Sequence, residues 1–75
     1  MEDVNTYHIR VRGPVEEDDL NAGSPLRLVV VESGPESALL TVSADQAGMV
    51  GLIRHLHGLG FVLLAVIRCP EERKL

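Results

Sequence analysis

The stretch Ser43-Ala44-Asp45-Gln46-Ala47-Gly48-Met49-Val50-Gly51-Leu52-Ile53-Arg54-His55-Leu56-His57-Gly58-Leu59-Gly60-Phe61-Val62-Leu63-Leu64-Ala65-Val66-Ile67-Arg68 holds a helix start, an apolar helical face, a helix stop and a strand in succession. Asp45 opens it, because its carboxylate can accept from the free N–H groups of a first helical turn and sits at the positive end of the helix dipole. Ser43 is the alternative cap. From there Met49, Leu52, Ile53 and Leu56 recur at i, i+3, i+4 and i+7 with Val50 beside them, while Arg54 and His55 fall away from that stripe. Gly60 suits the C′ position, where a residue without a Cβ adopts a left-handed conformation at no cost, and Phe61 would then fold back on Leu56 in a Schellman stop. The spacing predicts a helix over residues 46–59. Gly48 and Gly51 each lower helix propensity by ~1 kcal/mol relative to alanine, which points to close approach of the helix to the sheet or to another subunit.

Toward the C-terminus, residues 62–67 are apolar on both faces and read as a strand, with Pro70 removing a ladder donor just after it. Toward the N-terminus, residues 37–43 form a strand, Ser33-Gly34-Pro35-Glu36 is turn chemistry, and Leu26-Arg27-Leu28-Val29-Val30-Val31-Glu32 is a β-branched run. The short connection makes these two strands an antiparallel hairpin. The run at 26–32 is too continuous for a strand with one wet face, which implies cover on both faces. Before it, residues 15–25 hold the acids Glu16, Glu17, Asp18 and Asp19 followed by Asn21, Gly23, Ser24 and Pro25, and read as an exposed connection with one helical turn at most. Tyr7-His8-Ile9-Arg10-Val11-Arg12 alternates, placing Tyr7, Ile9 and Val11 on one face of a first strand and His8, Arg10 and Arg12 on the other.

The fold class is therefore α+β: a four-stranded, mainly antiparallel sheet in the order β-β-β-α-β with one principal helix on one face. If the connection after the first strand stands in for a helix, the topology is a reduced ferredoxin-like one with sheet order 4-1-3-2. A meander of the first three strands is the alternative. Residues 1–75 make a single domain, with 1–5 and 71–75 as loose tails.

Seventy-five residues bury only roughly 60% of the surface that the unfolded chain exposes, so a partner surface is expected. A formal charge of −4 argues against a general nucleic-acid or anionic-membrane binder. Cys69 is the single cysteine, which excludes an intrachain disulfide and fits a reducing compartment. The first residues are acidic with no apolar leader, and no run approaches the ~20 apolar residues that span a bilayer, so the expectation is a cytoplasmic protein.

Several motifs, Tyr7-x-Ile9-x-Val11-x-Gly13, Asp45-Gln46, Gly51-Leu52, Leu59-Gly60 and Leu63-Leu64-x-Val66-x-Arg68, together resemble a group of short uncharacterised bacterial proteins. The likeness covers most of the chain and rests on caps and core positions, so it implies fold and supplies no reaction. Similar proteins carry tryptophans after the first strand, where this chain has no aromatic in residues 15–20.

No constellation requires catalysis, and neither a metal nor another cofactor is expected. His55 and His57 lie two apart on the helix, so they point about 200° apart and cannot chelate one ion. Cys69 lacks a patterned base, the serines occupy turns or caps, and no glycine-rich phosphate loop precedes the helix. Tyr7 and Phe61 are directed to the core and the helix cap, which leaves no stacking platform for RNA. His8, Arg10 and Arg12, joined by Arg27 from a neighbouring strand, form a cationic stripe suited to an anion, unless the acids at 16–19 neutralise it. With Ile9, Val11, Leu28, Val30, Leu40, Val42, Leu64 and Val66 toward the helix, Val29, Val31, Leu39, Leu63, Ala65 and Ile67 face away. One helix cannot cover both faces, so these six residues define an expected interface for a homodimer or a protein partner. The sequence thus reads as a small non-catalytic interaction or accessory module. Its rivals are a small-molecule-binding or enzymatic dimer, with His8 and Arg10 in a pocket between sheets, and an anion-responsive regulatory domain.

Overall fold

The computed structural model describes residues 4–69. The elements are β1 (Asn5–Arg12), α1 (Glu17–Asn21), β2 (Val29–Ser33), β3 (Ser37–Ala44), α2 (Gln46–Gly58) and β4 (Leu63–Arg68). They form an α+β fold with one four-stranded sheet in the order β2-β3-β1-β4, every neighbouring pair antiparallel. This is the 4-1-3-2 order and excludes the meander, because α2 carries the chain from β3 across β1 to β4.

α2 has the caps that its sequence demands. Asp45 Oδ1 accepts from the Gly48 amide at 2.7 Å. At the other end Phe61 N–H donates to Leu56 C=O at 3.1 Å and Gly60 N–H to His57 C=O at 3.0 Å, the two bonds of a Schellman motif, with Gly60 at φ +92°. Met49, Leu52 and Leu56 are buried against Ile9, Val11, Ala38, Leu40 and Val42, while Ile53 and Phe61 pack at the margin. Gly48 is crowded, though chiefly by the helix's own cap and the loop before β2 rather than by the sheet: a Cβ there would lie 2.9 Å from Asp45 Oδ1 and 3.4 Å from Leu26. Gly51 is not: a Cβ there would meet nothing within 4 Å.

The connection at 15–25 is more than an exposed link. Leu20 is fully buried and Val15 packs on the core, so α1 closes one end of it. β2 begins at Val29 rather than Leu26 because Leu26 and Leu28 spend their hydrogen bonds on the loop. Leu26 N–H donates to Ser24 Oγ, and Leu28 exchanges two bonds with the Asn21 amide.

Two irregularities reset which side chains face where. Between Arg10 and Val11 the β1–β4 register shifts, so that Val11 faces Leu63 and Leu64 is the extra residue. Leu63 therefore packs on the core and Leu64 is exposed, reversing the faces expected for both. A second shift between Val30 and Glu32 leaves Val31 as the extra residue of β2. Asn5, expected in an N-terminal tail, is already paired with Ala44. Residues 1–3, Pro70 and the expected tail at 71–75 lie outside the described residues.

Candidate interaction surface

The sheet face opposite α2 can be built from the register alone. Residues directly opposite on antiparallel strands share a face, which gives two rows crossing all four strands. One runs Val29, Thr41, His8, Ile67, and the next runs Glu32, Leu39, Arg10, Ala65. Arg12 and Ser37 follow at the hairpin end. Of the residues expected on this face, Val29, Leu39, Ala65 and Ile67 are brought together, Val31 stands at the bulge, and Leu63 is removed to the core side. Val29, Val31 and Ile67 are 43%, 55% and 58% exposed. The surface is not a uniform apolar sheet: His8, Arg10 and Arg12 run down its middle, between a β2 margin of Val29 and Glu32 and an apolar β4 margin of Ala65 and Ile67.

That cationic strip is partly neutralised, though not by the acids at 16–19. Arg10 donates to Ser37 Oγ at 3.0 Å, and its guanidinium lies 3.8 Å from Glu32 Oε1. Both side chains are well exposed, so the pair orients Arg10 more than it stabilises the fold. Glu17 is occupied elsewhere, its carboxylate accepting from Val30 N–H at 2.9 Å. Arg27 stands in the loop before β2, outside the paired register, and joins neither row.

Two open depressions flank the β2–β3 hairpin. One of 340 Å³ is bordered by Arg10, Glu32, Glu36 and Ser37, and the other of 550 Å³ by Arg12, Gly13, Glu36 and Leu64. The first sets two carboxylates against one arginine and the second one against one, so neither rim offers an anion a net attraction. His8 borders neither, so these depressions do not bring His8 and Arg10 together around a common cavity. The turn presses closely on the end of β1: Gly13 N–H donates to Glu36 C=O at 2.9 Å, and a Cβ on Gly13 would lie 3.0 Å from Gly34 O.

Elsewhere, His55 Nε2 lies 3.0 Å from Leu20 C=O. A carbonyl can only accept, so the proton is on Nε2 and the ring ties α2 to α1. Among the described residues no group of three or more His, Cys, Asp or Glu is placed to hold a metal ion, and no helix is long and apolar enough to cross a membrane. Cys69 is a free thiol whose amide continues the ladder to Thr6 C=O at 2.8 Å.

Sequence reasoning missed the sealing of the β2 edge. Asn21 Nδ2 donates to Leu28 C=O and its Oδ1 accepts from Leu28 N–H, at 2.9 and 2.7 Å, as a neighbouring strand would, and Glu17 takes the next outward amide, Val30. The signal was present as polar residues just ahead of a β-branched run, but turn chemistry explains the same residues equally well.

Among the described residues, fold and surface together define a small α+β domain with one core and one sheet face that no helix covers. The DUF8691 family, a domain of unknown function, matches residues 6–67, and the chain belongs to that family. No curated protein and no solved structure matches it.

Proposed function

We propose that this domain is a non-catalytic interaction or accessory module, of reduced ferredoxin-like topology, that engages a protein surface through the outer face of its sheet. The observation that supports this reading is the pair of cross-strand rows, with Val29, Leu39, Ala65 and Ile67 flanking His8 and Arg10 on a face that no helix covers among the described residues. Apolar residues around an oriented Arg10 suit a protein surface, which offers both apolar area and polar partners. A small ligand would need a concave, converging site, and the two depressions open beside the hairpin rather than beneath His8. Regulation by anions is disfavoured by Glu32, which already faces Arg10. A cytoplasmic setting belongs to the same reading, since a free Cys69 suits a reducing compartment.

Site-specific photo-crosslinking in cells tests it. A benzophenone side chain at Thr41, in the middle of the outer face, should form discrete protein adducts that Leu39→Glu abolishes, while the same probe at exposed Arg54 on α2 should form none. Adducts from Arg54 and none from Thr41 would overturn the reading.

A further inference from the structure

The two edges of the sheet are treated differently. At the β2 edge, both backbone groups of Leu28 and the N–H of Val30 are taken up by Asn21 and Glu17, which obstructs a strand from adding at the start of β2. At the β4 edge, no described strand lies beyond Leu63–Arg68. Cys69 N–H points inward to Thr6 C=O, and successive residues of a strand point their backbone groups to opposite sides. Ile67 and Ala65 therefore bond β1, and Val66 presents its N–H and C=O outward.

The usual protections of such an edge are absent from its centre. Residues 63–67 include no charge and no proline, and Val66 and Ile67 are 42% and 58% exposed on opposite faces. The Leu64 bulge interrupts the start of this edge, but beyond it the outward backbone groups of Val66 meet no strand among the described residues, and an apolar edge of that kind is a template for another strand.

We infer that β4 pairs antiparallel with β4 of a second copy about a two-fold axis at Val66, joining two sheets into one continuous eight-stranded sheet. This goes beyond the face-binding reading, because it uses the edge and leaves the outer face free. The second copy is the fitting occupant because the edge is its own complement. Val66 exchanges both backbone bonds with Val66 of the other copy, and the exposed Ile67 comes opposite Ala65. The chain is acidic overall, yet the one charge on β4 is Arg68, so the edges meet without the carboxylate repulsion that the rest of the surface would bring.

Light scattering over a dilution series, with amide exchange at Val66, tests the pairing. The wild-type chain should pass from monomer to dimer as concentration rises, and protection of the Val66 amide should rise with it. Val66→Pro removes an outward N–H without touching the bonds to β1 and should weaken the dimer by about tenfold or more, since each copy loses a ladder bond. If that variant fails to fold, Val66→Lys decides, because it sets like charges directly opposite each other while leaving the backbone intact. Val29→Glu, at the far edge of the outer face, should leave the dimer unchanged. A chain that stays monomeric to millimolar concentration, or a dimer as tight in folded Val66→Lys as in wild type, would overturn the edge pairing. A dimer lost with Val29→Glu and kept with Val66→Lys would overturn it too and assign association to the face. Crosslinks from Thr41 to a protein other than a second copy would stand whichever way the edge pairing is decided.

Discussion

Asp45 and Gly48 share one oxygen: the Gly48 amide donates to Asp45 Oδ1 at 2.7 Å, and a Cβ placed on Gly48 would lie 2.9 Å from that same atom. The cap and the glycine are therefore one device. Asp45→Ala should lower stability by ~1 kcal/mol in urea denaturation. Gly48→Ala should bring no gain over wild type, although alanine is favoured by ~1 kcal/mol within a helix, because it displaces the capping carboxylate. In the Asp45→Ala background the sign should reverse, with Gly48→Ala stabilising. Additive effects of the two substitutions would separate the cap from the glycine.

The helix stop gives a paired comparison. Gly60 has φ +92°, whereas Gly58 lies inside α2 at a negative φ with open space where a Cβ would be. Gly60→Val should lower the denaturation midpoint by an amount equivalent to more than ~1 kcal/mol, since a β-branched residue resists the left-handed region. Gly58→Val should stay within about 0.5 kcal/mol of wild type, as substitutions at open surface positions do. Equal losses would place the stop elsewhere.

The parts of the fold that were legible in the sequence are those set by local chemistry. Asp45, Gly60 and the Met49, Leu52, Leu56 stripe each act within one or two turns of helix, so the residues alone specify them. The faces of β4 were not legible. Alternation along Val62 to Ile67 carries no information when every residue is apolar, and the register shift opposite Arg10 and Val11 moved Leu63 to the core. The rows of the outer face depend on pairing between strands far apart in sequence, so His8 could be placed on the correct face without knowing that Thr41 and Ile67 flank it. In the sequence Asn21 reads as turn chemistry, because its bonds to Leu28 depend on where β2 lies.

Asn21 thus carries a prediction of its own. Asn21→Ala leaves the amide and carbonyl of Leu28, a fully buried residue, without their protein partners, and should destabilise by about 2 kcal/mol. It also reopens the β2 edge, so the variant should aggregate faster than Asn21→Asp, which keeps one acceptor and adds a charge at the edge. Turbidity on mild heating, compared at matched fractions unfolded, reads the difference. Equal aggregation by the two variants would mean that Asn21 stabilises without guarding the edge.

His55 supplies the last test, because it lies off the apolar stripe of α2 and would be read as surface by periodicity alone. Its Nε2–H donates to Leu20 C=O, one of the carbonyls that the short helix α1 cannot satisfy within itself, and Leu20 is buried against the core. His55→Ala should therefore cost ~1 kcal/mol, while His57→Ala, at an exposed position on the same helix, should cost less than half of that. The loss should also appear at a distance: with α1 less firmly held, Asn21 and Glu17 release the β2 edge more often, and the amides of Leu28 and Val30 should exchange faster in His55→Ala than in His57→Ala. Unchanged exchange at both amides would show that α1 is held by Leu20 alone and that the histidine contact is incidental to it.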